Sequence, residues 1–195
     1  MSDHWREAAS AAMDRYACGD DSAFSELYDL LAPRLTAFLA RRIRDDALAS
    51  DLVQQTFLQM HASRRHFSEG ADVMPWAFAI ARRLLIDVVR KSGREIIGDD
   101  GGGREERESV APDLPPDRIV AQRRLAARVG EALERVPEGQ RLAFELVKGD
   151  GLSLAEAAEV LGTTVAAVKL RVHRTYEALR AALGEEMHEE LDGVW

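Results

Sequence analysis

The side chains of this chain best suited to chemistry are cations on helical segments, not a catalytic set. Lys169, Arg171, His173 and Arg174 crowd one short stretch, with Thr164 and Ala167 just before them. Cations so placed suit phosphates and guanine edges, while Thr and Ala can meet thymine methyls. A second group interleaves cations with rings: Arg64, Arg65, His66, Phe67, Trp76, Phe78, Arg82, Arg83, Arg90 and Lys91. That mixture suits unstacked single-stranded DNA, where cations follow the backbone and ring faces accept bases. Trp76, Phe78, Ile80, Leu84 and Leu85 suit a helical core equally well, and at least half of them are expected there.

Catalytic sets are missing. The sequence has no nucleophile–base pair and no phosphate-binding loop. Asp45 and Asp46 are adjacent carboxylates, and adjacent helix residues do not converge on one point. His4, His61, His66, His173 and His188 show no metal-ligand spacing. Neither a metal nor a cofactor is expected. The single cysteine, Cys18, allows no intrachain disulfide, so a reducing cytosol fits. Cys18 itself is expected to be a small buried side chain.

Net charge is −8 over 195 residues, which argues against nucleic acid until its distribution is read. Residues 41–91 and 164–183 each carry +3, whereas 1–40 and 92–118 each carry −4 and 184–195 carry −5. A phosphate-binding surface needs local positive potential, not a basic chain. Solvated helix faces would give the same pattern. No apolar run approaches the roughly 20 residues of a membrane span. The N-terminus, with Asp3, Glu7 and Asp14, lacks the apolar centre of a secretory signal. A cytoplasmic protein is expected.

Helices must position these groups. Aromatics are only 6% of the chain, and Ala, Leu, Arg and Glu dominate. Such side chains lose little freedom in a helix. Ala23, Phe24, Leu27, Leu30 and Leu31 recur at helical steps after Asp20 and Asp21. Pro33 fits the first turn of a second helix carrying Leu35, Phe38, Leu39 and Ile43. A third helix is expected from about Ala49 to Asp51 onward, then a loop at Ser68, Glu69 and Gly70, then a fourth helix opened by Pro75. Residues 93–118, with five glycines and three prolines, read as a flexible acidic linker.

Beyond the linker, a helix over 119–135 should turn Val120, Leu125, Val129 and Leu133 inward. A second covers 138–148. Ser153 and Glu156 form a capping box for a third. Gly162 supplies a turn, and Thr163 or Thr164 caps a last helix. Val165, Val168, Val172, Tyr176, Leu179 and Leu183 should form its buried stripe. Capping signal, turn glycine and basic second helix together make a helix-turn-helix, or at least a helical hairpin with a basic face. No alternating strand pattern occurs. The expected fold is all-α: two small helical domains, 1–92 and 119–184, joined by linker 93–118 and followed by an acidic tail, 185–195.

Two blocks carry a resemblance. DLVQQTFLQMHASRRHF with PWAFAIARRLLIDVVRK strongly resembles region 2 of the extracytoplasmic-function (ECF) sigma factors. VPEGQRLAFELVKGDGLSLAEAAEVLGTTVAAVKLRVHRTYEALR resembles region 4 of the same family. Together they cover most of residues 20–183, in the family's order. The resemblance implies a sigma factor that binds core RNA polymerase, through its β and β′ subunits, and directs it to promoter DNA. Such factors are commonly held by an anti-sigma factor.

By the same resemblance Asp51, Leu52, Gln54, Gln55, Thr56 and Phe57 lie on the helix that grips the β′ clamp helices. Asp51, Gln54 and Gln55 offer donors and acceptors to a basic partner, whereas Leu52, Phe57 and Met60 suit the core. Arg64, Arg65, Phe67, Trp76, Arg82, Arg83, Arg90 and Lys91 would read and melt the minus-ten element, capturing a flipped base. Thr164, Ala167, Lys169, Arg171, His173 and Arg174 would face the minus-thirty-five element. The linker would thread toward the RNA exit path or act as a passive tether. The chain departs from the family at Arg83, where Asn is common, and at Leu170, where Ser is common. Both positions bear on promoter sequence more than on class. The rival reading from the residues is a helix-turn-helix regulator without polymerase docking.

Overall fold

The structure, a computed structural model, describes residues 4–43, 45–92 and 116–184. It is helical throughout, with no strand element among the described residues. Backbone contacts group Met1–Gly98 with Ala155–Gly162 as one compact unit, and Asp99–Leu154 with Thr163–Trp195 as the other. The linker residues 93–115 and the tail 185–195 lie outside the described residues.

The first unit is built on α1 (His4–Ala17), α2 (Ala23–Ala40), α3 (Asp46–Ser63) and α4 (Val73–Ser92). Helix α2 packs against the other three. Leu27, Leu31, Leu35, Phe38 and Leu39 form its buried stripe. Phe38 meets Phe78 of α4 with ring centroids 4.9 Å apart, and Phe24 meets Phe57 of α3 edge-on at 5.9 Å. Such pairs add to the burial of their area.

Two expectations are corrected here. Pro33 does not open a separate helix; α2 runs through it. Proline removes one backbone hydrogen bond and costs about 3 kcal/mol inside a helix. Here Pro33 and Asp29, whose carbonyl loses its partner, are both exposed, so water can meet that carbonyl. The buried stripe on either side of Pro33 favours one continuous helix. Cys18, expected inside, is exposed just past the end of α1.

Helix α1 itself was not expected. Its buried stripe is Ala9, Ala12, Met13 and Tyr16. Arg34 of α2 lies over the Trp5 ring, 3.3 Å from its centroid, and Arg6 pairs with Asp72. Asp14 accepts from the Gly70 amide at 3.1 Å, tying α1 to the loop before α4. Within the same unit Arg6 also pairs with Glu156 of α7 (Leu154–Leu161).

The second unit contains α5 (Pro116–Glu134), α6 (Glu138–Phe144) and α8 (Val165–Leu183). Helix α5 starts at Pro116, earlier than the expected residue 119; proline suits a first helical position. Helix α6 widens into a π turn over Glu145–Gly149, where one regular helix was expected. Val129, Ala132, Leu133, Phe144, Leu179 and Leu183 form the core, with Val172 and Tyr176 against it. The side chains of Val120 and Leu125 lie outside the described residues.

Candidate nucleic-acid and protein interfaces

Helix α3 starts where Asp45 accepts from the Ala47 and Leu48 amides at 2.9 and 3.2 Å. That cap satisfies two of the amides that the first turn of a helix leaves without a backbone partner. Leu52, Thr56, Phe57 and Met60 turn inward and are buried. Thr56 donates its hydroxyl to the Leu52 carbonyl at 2.7 Å, which satisfies it without water. Leu52 and Phe57 thus lie in the core, as their apolar character suggested, and Thr56 joins them; of the residues expected on the gripping helix, Asp51, Gln54 and Gln55 are the ones that face solvent. A threonine reads as polar in sequence, but bonded to its own helix it packs as an apolar side chain.

The exposed face of α3 carries Asp51, Gln54, Gln55, Leu58 and Ala62, at steps of three and four. Leu58 is 66% exposed, the most exposed of the large apolar residues among those described. It stands in the centre of the polar stripe. Sequence reasoning missed it, although its position seven residues after Asp51 places it on the same face.

Around the second cluster, a 3₁₀ turn at Arg64–His66 follows α3. Arg64 is half-buried and donates to the His61 carbonyl at 2.9 Å. Its guanidinium also lies 5.6 Å from the Tyr16 ring centre. Arg65 and His66 are exposed. Phe67 and Trp76 are both half-buried, and their rings pair at 5.2 Å. Phe78, Ile80 and Leu85 are buried as core, while Leu84 is half-buried.

Along α4, Trp76, Arg83, Asp87, Arg90 and Lys91 share one face, at offsets of 7, 11, 14 and 15 residues from Trp76. Arg90 pairs with Asp87 at 3.2 Å. From Trp76 to Lys91 this face runs about 22 Å. Arg82 is half-buried and points away from that row. The structure thus gathers Phe67, Trp76, Arg83, Arg90 and Lys91 and leaves Arg82 apart.

Helix α8 is started by Thr164, whose hydroxyl accepts from the Ala167 amide at 3.2 Å. The tight turn before it uses Gly162 at φ +61°, a conformation cheap only for glycine. Val168, Thr175, Leu179 and Leu183 are buried. Thr175 donates to the Arg171 carbonyl at 3.0 Å. Val165, expected in the buried stripe, is exposed at the first position of α8.

The expected reading residues divide between two flanks. Thr164, Ala167, Arg171 and Arg174 follow one another at steps of 3, 4 and 3, so they form one row. Leu170, exposed, lies beside that row. Lys169 and His173 fall on the opposite flank, where they line a groove with Val147, Lys148, Leu154, Val172 and Tyr176. Among the described residues no cluster of His, Cys, Asp or Glu could hold a metal. No described helix is long and apolar enough to cross a membrane.

Comparison with known proteins bears on both halves of the chain. Residues 27–95 match the family model for Sigma-70 region 2, and residues 126–179 match that for Sigma-70 region 4. The RNA polymerase sigma factor CarQ of Myxococcus xanthus is 36% identical over 173 residues, 89% of this chain and 96% of the relative. The ECF RNA polymerase sigma factor SigF of Caulobacter vibrioides is 34% identical, covering 87% and 90%. Among solved structures, the sigma factor RpoE in complex with the anti-sigma factor NepR from Bartonella quintana superposes with a TM-score of 0.63 at 25% identity. That match covers 82% of this chain and 96% of the other.

Proposed function

We propose that this chain, which belongs to the ECF RNA polymerase sigma factors, divides promoter recognition among three helical faces. The factor directs RNA polymerase to promoters. The polar stripe of α3, with Asp51, Gln54 and Gln55 around Leu58, docks on the β′ clamp helices. Carboxylate and amide groups meet a basic partner there, and Leu58 supplies apolar contact.

The face of α4 engages the minus-ten element. Arg83, Arg90 and Lys91 follow the phosphates of the displaced strand, and the Phe67–Trp76 pair offers ring faces to an unstacked base. Capturing an extruded base offsets part of the cost of unstacking it. The row Thr164, Ala167, Arg171 and Arg174 reads the minus-thirty-five element in the major groove, with Arg171 and Arg174 on phosphates or guanine edges. Residues 1–92 carry docking and melting, 119–184 carry upstream reading, and 93–118 join them. The factor acts in the cytoplasm, has no catalytic activity of its own, and is held by an anti-sigma factor, as its solved relative is.

The observation that carries this reading is the α4 face, where cations and a ring pair line up along about 22 Å of helix. Run-off transcription with core polymerase, with and without the chain, tests it. Specific transcripts should appear only when it is present. Identical transcription either way across candidate promoters would leave only the helix-turn-helix regulator. Within a positive assay, Trp76→Ala should impair promoter opening more than core binding.

A further inference from the structure

The groove on the second unit has an apolar floor and a charged rim. Val147, Leu154, Val172 and Tyr176 line it, and Lys148, Lys169 and His173 stand at its edges, around a volume of about 410 Å³. Lys148 and Lys169 are exposed, and the four apolar residues are half-buried. Within this unit it is an apolar surface bordered by two permanent positive charges. Its complement is an apolar segment dense in carboxylates.

One segment of this chain has that composition. Residues 185–195 carry Glu185, Glu186, Glu189, Glu190 and Asp192, no Lys or Arg, and the apolar Met187, Leu191, Val194 and Trp195. They follow directly on α8, which ends at Gly184 with φ +84°. From Leu183 back to Lys169 is about 21 Å of helix. Eleven extended residues reach about 36 Å, enough to double back along α8 to the groove.

We propose that residues 185–195 dock in this groove, carboxylates on Lys148 and Lys169 and apolar side chains on Val172 and Tyr176. The groove lies on the flank of α8 away from the Thr164–Arg174 row, so the tail does not cover that row. It lowers the positive potential beside it instead. The acidic tail thereby acts as a built-in attenuator of DNA binding, strongest at low salt.

A spin label on the full chain tests the placement without polymerase or promoter, so its failure is distinct from failure of the sigma reading. Cys18→Ser with Gly193→Cys carries one nitroxide in the tail. At low ionic strength it should broaden the amide resonances of Val147, Lys148, Val172 and His173. High salt, or Lys148→Glu, should relieve that broadening. Broadening that is absent, spread evenly, or centred on the cation face of α4 overturns the proposal. So does broadening that persists unchanged in Lys148→Glu, provided its helical circular dichroism matches the parent. As a second reading, the full chain with the tail carboxylates replaced by Gln and Asn should bind a labelled DNA duplex about tenfold more tightly at low salt. Unchanged affinity there overturns the attenuator role.

Discussion

Leu58 offers the sharpest test of where polymerase docks. An apolar side chain that is 66% exposed in the middle of a polar stripe adds little to the isolated fold. Burying a whole leucine side chain is worth about 1.5–3 kcal/mol. The two-thirds still open to solvent corresponds to about 1–2 kcal/mol on binding. Leu58→Ala should therefore weaken affinity for core polymerase roughly 5- to 30-fold. The free protein should be unaffected, because exposed substitutions usually fall within about 0.5 kcal/mol and alanine is the better helix former. Fluorescence titration of labelled chain with core polymerase gives the affinity, and a thermal melt gives the stability. An affinity within twofold of the parent would refute the reasoning, and Leu58 would then be one of the scattered exposed apolar residues any surface carries. A lowered melting temperature would refute it differently, by showing that Leu58 has a structural contact.

Three further outcomes follow from the geometry. Arg174→Ala should weaken duplex binding and reduce the slope of log affinity against log salt by about 1, as loss of one phosphate contact does; an unchanged slope in anisotropy titrations removes Arg174 from the backbone contacts. Asp45→Ala leaves the Ala47 and Leu48 amides without their cap and should cost about 1 kcal/mol in denaturant unfolding; unchanged stability would show that the cap contributes nothing. The Ser22 hydroxyl bond, before any other contact, holds the Asp20 carboxyl below its ordinary range. Its small contribution to stability is present above that ordinary range and fades as pH falls through the lowered value. Ser22→Ala should return Asp20 toward the ordinary range in a carbon-detected NMR titration.

Much of the helical layout was legible because its signals are local. Spacings of three and four residues report apolar faces, and Thr164 and Gly162 mark a start and a turn through their own backbone preferences. Helix α1 escaped notice because half of its buried stripe is small: Ala9 and Ala12 bury little apolar area and read as neutral. Pro33 misled for the opposite reason. Its local cost is explicit in sequence, whereas the packing that outweighs it, Leu27 to Leu39 against three other helices, is not.

The sequence by itself determined that the chain is helical, where its cations cluster, and which family it resembles. All of these rest on residue type and on order along the chain. Only the tertiary structure decided which side of a helix meets solvent where residue type and position disagree. Periodicity relates residues to one another around a helix axis, but the rotation of that axis is set by neighbours distant in sequence. That is why Thr56, polar by type, went inside while Leu58, apolar by type, came out. The spacing along α8 divides its cations, but only the fold brought Lys169 and His173 to a groove shared with Val147, Lys148 and Leu154.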